Sequence, residues 1–460
     1  MSRSRCDALV LFGATGDLAH KKILPSLYHL EQRGRLGIPV IGVASSGWSV
    51  EDLRKRVRET VVAAEPEADP EVLRRLQDTF EYVDGDYQQG STFEALRKAL
   101  GEVRRPLHYL AIPPSLFPVV VQGLARCECA RDGRVVVEKP FGRDLPSAQA
   151  LNRTLHDVFP ESRVFRIDHF MGKEAVQNLL YFRFANSFVE PIWNRTWVES
   201  IQITLAESFG VQGRGRFYEE VGAIRDVVQN HLLQIVGLLT MEPPLSHDPE
   251  DVRNEQSKAL KAVRPLTGRS LVRGQYRGYL DEGGVAPESQ VETYAAMQLH
   301  VDSWRWADVP IFVRAGKRLP VTATEVLVEL RRPPHAVFGR VDSDQANYFR
   351  FRLGPDVVIG LGARAKAAGE EMVGEAIELS VCRRSPEEMT AYERLIGDAL
   401  DGDPGLFGRE DVVEAAWRIV DPVLRVGKPV EVYEPGSWGP ASAGSLTRRV
   451  GGWHAPQGVR

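Results

Sequence analysis

The nine residues Arg166-Ile167-Asp168-His169-Phe170-Met171-Gly172-Lys173-Glu174 hold a base, an acid and two candidate ligands for a phosphate, His169 and Lys173. A second histidine closes Arg225-Asp226-Val227-Val228-Gln229-Asn230-His231. Together these residue types point to catalysis on an anionic substrate. Taken singly, a histidine beside an aspartate is more often a satisfied structural pair than a catalytic one. The start of the chain tips the balance.

There the apolar run Ala8-Leu9-Val10-Leu11-Phe12 reads as a buried strand that ends at Gly13-Ala14-Thr15-Gly16, and Leu18 to Leu30 reads as a helix. Further buried strands are predicted at Val40-Ile41-Gly42-Val43-Ala44, from Leu107 to Ile112, and at Arg134-Val135-Val136-Val137-Glu138. Helices are predicted at about Val50 to Val62 and Phe117 to Arg126. Continuous apolar strands alternating with helices imply a doubly wound parallel α/β sheet over about residues 5–165. Beyond about residue 190 the strands alternate with period two, as in Glu199 to Leu205, Thr324 to Leu330 and Ala376 to Val381. Such strands belong to an antiparallel sheet with one covered face, and with helices at Ala223–Thr240 and Glu410–Leu424 the second part reads as α+β. The fold expected is therefore a Rossmann-like dinucleotide-binding domain, residues 1–168, followed by an α+β domain, residues 169–460, with a large mainly antiparallel sheet. The glycine- and proline-rich tail after Pro435 reads as an irregular end.

With 460 residues, two domains are the natural expectation. The 58 Lys+Arg against 62 Asp+Glu leave a net charge of −4, which argues against a nucleic-acid partner held by a strong positive field. Cys6, Cys127, Cys129 and Cys382 are scattered, and the Cys127-Glu128-Cys129 spacing is too tight for a zinc knuckle, so no metal site is expected. They read as reduced thiols of a cytoplasmic protein. No stretch approaches the roughly 18 apolar residues of a membrane span, so no membrane partner is expected.

A strand, glycine turn and helix place backbone N–H groups against a pyrophosphate, although the spacing here is G-x-x-G rather than the full fingerprint. At the end of the second strand, where an acid would bind the ribose of NAD and an arginine the extra phosphate of NADP, stand Ala44-Ser45-Ser46-Gly47. Losing a charged partner for that phosphate forfeits about 1.5–3 kcal/mol. NAD is the expected cofactor, with NADP open if a basic side chain arrives from elsewhere.

In order along the chain, Gly13-Ala14-Thr15-Gly16-Asp17-Leu18-Ala19 with Lys21-Lys22-Ile23 and Pro25, Tyr109-Leu110-Ala111-Ile112-Pro113-Pro114, Glu138-Lys139-Pro140-Phe141-Gly142, the Arg166–Glu174 segment, Arg225 to Gln234, Val272-Arg273-Gly274-Gln275-Tyr276, Arg314-Ala315-Gly316-Lys317 and Ala416-Trp417-Arg418-Ile419 resemble the glucose-6-phosphate dehydrogenase family. The resemblance implies oxidation of a sugar's anomeric hydroxyl to a lactone, the hydride passing to a nicotinamide. In this pattern His231 is the general base and Asp168 the carboxylate that orients it. His169 and Lys173 take the phosphate, with Lys22 and Lys139 at the seam between sugar and cofactor. Glu207 and Asp226 accept bonds from sugar hydroxyls, and Lys317 completes the pocket. Gly13, Thr15, Gly16, Asp17, Leu18, Ser45, Pro113 and Lys139 line the dinucleotide, and Pro113-Pro114 resembles the family's cis-proline turn. The resemblance also implies a homodimer or homotetramer paired through the second sheet.

Three positions depart from the family pattern. Ser45 replaces the arginine of NADP-using members, Phe170 a tyrosine that touches the phosphate, and Thr322 a second cation near Lys317. The residues leave open a related hexose, such as a 2-amino hexose phosphate or an unphosphorylated sugar. They also leave open a dinucleotide-binding protein without catalysis, against which the retention of His231, Asp168 and Lys139 together argues.

Overall fold

The computed structural model describes residues 4–335, 337–338, 346–383, 389–425 and 427–457. Its strands, in chain order, are β1 (Ala8–Phe12), β2 (Val40–Ala44), β3 (Phe80–Asp84), β4 (Pro106–Leu110), β5 (Arg134–Glu138), β6 (Val164–Ile167), β7 (Val198–Ala206), β8 (Leu271–Tyr276), β9 (Tyr294–Leu299), β10 (Ile311–Gly316), β11 (Ala323–Leu330), β12 (Tyr348–Gly354), β13 (Val357–Lys366), β14 (Gly374–Arg383), β15 (Phe407–Gly408) and β16 (Glu431–Tyr433).

The chain forms two compact units. The first takes Met1–Lys173, Pro244–Asn254 and Met389–Glu414; the second takes Glu174–Pro243, Glu255–Glu388 and Ala415–Arg460. In the first unit the sheet order is β15-β6-β5-β4-β1-β2-β3. All neighbours run parallel except β15, which pairs antiparallel with β6 through Phe407↔Ile167. β1, β2 and β4 are buried at every position, as strands covered on both faces must be. The core gathers Leu9, Leu11, Ile23, Leu27, Val57, Phe80, Tyr109 and Phe165, and residues from far along the chain, Leu395, Ile396, Leu400 and Phe407, join it.

β3 and the helices Pro70–Asp78 and Gly90–Leu100 escape the sequence reading. β3 is the edge of the sheet, only Phe80 and Val83 are fully buried in it, and its Glu81 and Asp84 hide the apolar signature of a strand.

In the second unit the order is β14-β13-β12-β11-β7-β10-β9-β8-β16. The pairing is antiparallel throughout except at β10 with β7 and β16 with β8. This large mainly antiparallel sheet agrees with the expectation. The tail differs from it. Residues beyond Pro435 form short turns of helix at Ala441–Ala443, Gly444–Thr447 and Arg448–Val450. Trp438 and Trp453 lie over the buried Arg314 guanidinium at 4.4 and 4.8 Å, which gives this segment a packed seat that glycine and proline content conceals.

Two segments expected as plain α-helix begin with π-helical turns, at Ala19–Ile23 and Ile224–Leu232. Their apolar spacing is too close to that of an α-helix for periodicity to separate the two. The cis-proline expectation at Pro113-Pro114 is overturned. The cis peptide bonds among the described residues are Lys139-Pro140 and Gly354-Pro355, whereas Pro114 opens a turn of 3-10 helix from a trans Pro113. Proline content alone does not distinguish these positions. No described helix is long and apolar enough to cross a membrane.

Candidate active site

The strand order β3-β2-β1-β4-β5-β6 reverses direction between β1 and β4, and open α/β sheets bind ligands beyond the carboxyl ends of the strands at such a switch point. The glycine turn sits there. Gly13 has φ +78°, and a Cβ on it would lie 2.3 Å from the Ala111 carbonyl oxygen, so the turn and the end of β4 approach as only glycine permits. Tyr87 holds the turn by accepting from the Gly13 N–H at 2.9 Å while donating to Val43 O. Thr15 Oγ1 lies 2.7 Å from Ser46 Oγ, joining the turn to the loop after β2. A bare backbone cradle of this kind fits a pyrophosphate. Of the other residues expected there, Leu18 is partly buried, while Ser45 and Pro113 are exposed. Asp17 is exposed and bonded at 2.8 Å to Lys21, which draws its carboxyl below the usual range. Lys22 is exposed on the first π-helical turn.

At the ends of β5 and β6 the first unit gathers charge. Glu138 is buried beside Lys139 and accepts from Tyr109 Oη at 2.6 Å. Tyr392, from the helix Ala391–Asp401, also bonds to it. Burial pushes the Glu138 carboxyl up to about 7, against the pull of Tyr109, Lys139 and Tyr392. Asp168 is buried, and its Oδ1 accepts from the Phe170 N–H at 3.0 Å, a local turn that aims the residues after it. His169 stands between two rings, edge-on to Phe170 at 5.3 Å and parallel to Tyr392 at 6.4 Å. The Lys173 ammonium lies 3.7 Å from the centre of the Phe170 ring, and burial lowers its pKa. Phe170 therefore supports both proposed phosphate ligands even without a hydroxyl.

The second unit carries the remaining residues. Asp226 and buried His231 lie on the π-helical turns Ile224–Leu232, a conformation that recurs at functional sites. Gly222, at φ +65° and ψ 174°, breaks the helix before them. Glu292 pins the break: its carbonyl accepts from Ala223 N at 2.9 Å, its Oε1 from Ile224 N at 3.1 Å, and its Oε2 meets Arg273 at 2.7 Å. The His231 N–H donates to Asn230 Oδ1 at 2.7 Å. Glu207 closes β7 and pairs with buried Lys317 at 2.6 Å, the ammonium flanked by the Phe209 and Tyr218 rings at 5.3 and 5.1 Å. Thr322, where a cation was expected, bonds Ser208 Oγ at 2.8 Å. A neighbouring cation exists in Arg318, which adopts φ +53° with its guanidinium 5.9 Å from the Tyr276 ring.

Sequence reasoning missed Tyr87, Tyr392, Glu292 and Asp84. Asp84 Oδ1 accepts from the N–H groups of Ser46 and Gly47 at 3.0 and 2.8 Å. The separation Ser46–Asp84 is 38 residues, outside the reach of a local motif. Only the assignment of β3 as the neighbour of β2 would have brought them together.

Comparison with known proteins covers nearly the whole chain. The family model described as "Glucose-6-phosphate dehydrogenase, NAD binding domain" matches residues 10–178, and that of the "Glucose-6-phosphate dehydrogenase, C-terminal domain" matches residues 180–454. Glucose-6-phosphate 1-dehydrogenase 1 of Mycobacterium tuberculosis is 43% identical over 98% of this chain and 96% of its own. The glucose-6-phosphate 1-dehydrogenase of Aggregatibacter actinomycetemcomitans is 39% identical over 100% and 99%. Among solved structures, glucose-6-phosphate 1-dehydrogenase from Mycobacterium avium superposes with a TM-score of 0.93 at 41% identity, covering 99% of this chain and 100% of its own. A glucose-6-phosphate dehydrogenase in complex with its substrate glucose 6-phosphate superposes with a TM-score of 0.91 at 35% identity, covering 98% and 100%.

Proposed function

The chain belongs to the glucose-6-phosphate dehydrogenase family, and on that footing we propose that it oxidises the anomeric hydroxyl of glucose 6-phosphate to the lactone. The observation that carries this is the match along the full length of the chain, at TM-score 0.91, to a structure named as holding that substrate. The cofactor is a nicotinamide dinucleotide, whose nicotinamide accepts the hydride when bound. The glycine turn at the switch point fits its pyrophosphate.

His231 takes the proton of the anomeric hydroxyl, because the carbon releases a hydride readily only as its oxygen becomes anionic. Asp168 fixes the imidazole tautomer and stabilises the imidazolium. His169 and Lys173, braced on Phe170, hold the phosphate as cationic donors. Glu207 and Asp226 accept from ring hydroxyls, with Lys317 holding the Glu207 carboxylate in place. Lys139 and Lys22 act where sugar and nicotinamide meet, and Gly13, Thr15, Gly16, Asp17, Leu18, Ser45 and Pro113 line the dinucleotide. NAD is preferred over NADP, since Ser45 offers no charge to a further phosphate. Two copies pair through the outer face of β13 and β14, where Ile377, Leu379 and Val381 stand exposed. The free thiols of Cys6, Cys127, Cys129 and Cys382 support a reducing, cytoplasmic location.

The test is the initial rate of nicotinamide reduction with saturating glucose 6-phosphate, NAD and NADP in parallel, and His231→Ala as the blank. Rapid turnover that vanishes in the variant is expected. No turnover with either cofactor would overturn the assignment.

A further inference from the structure

The loop after β2 carries an acid that does not belong to it. We infer that Asp84, at the carboxyl end of β3, selects between the two dinucleotides by occupying with the chain's own carboxylate the backbone N–H groups of Ser46 and Gly47 that would otherwise cradle the 2′-phosphate of NADP. This rests on the reading of the first unit as a dinucleotide-binding one and deepens its preference for NAD.

Parallel pairing sets Asp84 beside Ala44, the last residue of β2. Its Oδ1 accepts from Ser46 N at 3.0 Å, Gly47 N at 2.8 Å and Tyr82 Oη at 3.1 Å, and the same tyrosine hydroxyl reaches Ala44 O at 3.1 Å. Gly47 has φ +65°, so two successive N–H groups converge in the manner of an anion-binding nest, and the anion in it is a side chain. The nest adjoins the pyrophosphate turn through the contact of Thr15 with Ser46 at 2.7 Å. In dinucleotide folds the ribose 2′ position is read at the end of the second strand, beside that turn.

Two consequences follow for a ligand. A 2′-phosphate arriving here finds its donors taken and a like charge in place. A 2′-hydroxyl finds an acceptor, because among the described residues Asp84 Oδ2 accepts no hydrogen bond. The usual acid of NAD-specific folds stands on the second strand itself, about 20 residues after the glycine turn. Here a neighbouring strand supplies it, which is why Ala44-Ser45-Ser46-Gly47 looks neutral in the sequence.

The test compares 5′-ADP with 2′,5′-ADP, which differ by the 2′-phosphate alone, by calorimetric titration of the full-length protein, Asp84→Asn and Asp84→Ala. The unchanged protein should bind 5′-ADP the more tightly. Asp84→Ala, which vacates the nest, should shift the ratio toward 2′,5′-ADP about tenfold or more, with Asp84→Asn between, because a hydrogen bond to a charged group is worth about that much. A thermal melt followed by circular dichroism reports whether each variant is folded, since the 5′-ADP affinity itself should weaken with the loss of the acceptor for the 2′-hydroxyl. A ratio unmoved in both variants, or a protein that already favours 2′,5′-ADP, would overturn the role of Asp84. Kinetics with NAD, NADP and glucose 6-phosphate then separate the two readings. Absence of turnover would sink the proposed activity while the binding ratio still decides Asp84.

Discussion

Phe170 shows how a residue can lose one contact and keep its place. Its ring lies under the Lys173 ammonium at 3.7 Å and meets His169 edge-on at 5.3 Å, so the proposed phosphate ligands are braced by a face rather than reached by a hydroxyl. Phe170→Tyr should lower the KM for glucose 6-phosphate a few-fold, the worth of about one hydrogen bond. Phe170→Leu should raise KM about tenfold with kcat less affected. Steady-state kinetics would check both, and an unchanged KM in the leucine variant would contradict the bracing. Glu138 offers a pH-dependent readout. Tyr109, Tyr392, Lys139 and Asp168 act on it, and burial raises it to about 7. The tyrosine hydroxyls favour the ionised form, so Tyr392→Phe should raise the Glu138 pKa further, read as a shift to higher pH of a carboxylate band in an infrared pH titration; Glu138→Gln should abolish that band. At this scale the contiguous motifs were legible because their chemistry lies within a few residues. Tyr392, Glu292 and Asp84 were not, since each meets its partner across a long stretch of chain.

Among the elements, strands covered on both faces announced themselves as apolar runs, and Phe117–Arg126 and Arg134–Glu138 fall at the predicted bounds. The edge strand β3 did not, because solvent accepts its polar residues. Nor did the π-helical turns, of which those at Ile224–Leu232 follow a break pinned by Glu292. β4 also hides a liability. His108 is fully buried, donates from Nε2 to Cys129 O at 2.8 Å, and has no hydrogen-bond partner for Nδ1 among the described residues; burial pushes its pKa down to about 4. The unfolded chain takes up that proton near pH 6.5, so between pH 6.5 and 4 the unfolded state binds more protons and stability falls as pH drops. The loss should reach roughly 3 kcal/mol. His108→Phe should flatten this part of a melting-temperature profile, whereas an unchanged slope would locate the acid sensitivity elsewhere. In the second unit Arg314 binds the tail to the sheet, donating to Thr204 Oγ1 at 3.0 Å and to the His454 carbonyl between two tryptophan faces. Arg314→Met should cost about 1–3 kcal/mol, measured by denaturant titration, since it leaves the buried Thr204 hydroxyl and the partly buried His454 carbonyl without their donor.

On the scale of the molecule, alternation from apolar runs to period-two strands was enough to read an α/β part followed by a mainly antiparallel one. The excursions of the first unit into Pro244–Asn254 and Met389–Glu414 were not readable, because nothing local marks a segment as belonging to a distant core. The outer face of β14 carries Ile377, Leu379 and Val381 at 36, 62 and 69% exposure. The pairing of two copies proposed for this face is tested by sedimentation equilibrium: the unchanged protein should sediment as a dimer or larger and Leu379→Arg as a monomer with its melting curve largely retained, whereas an unchanged protein that is already monomeric, or assembly that survives the charge, would overturn this interface.

The seam of β6 with β15 has a bearing on synthesis. Residues 1–173 emerge from the ribosome with β6 as a bare strand edge and with part of their core, Leu395, Ile396, Leu400 and Phe407, not yet made. Domains ordinarily complete themselves in the order they are translated. This one must wait until residue 414 has left the exit tunnel, and until then the nascent amino-terminal half keeps an open strand edge and an incomplete core.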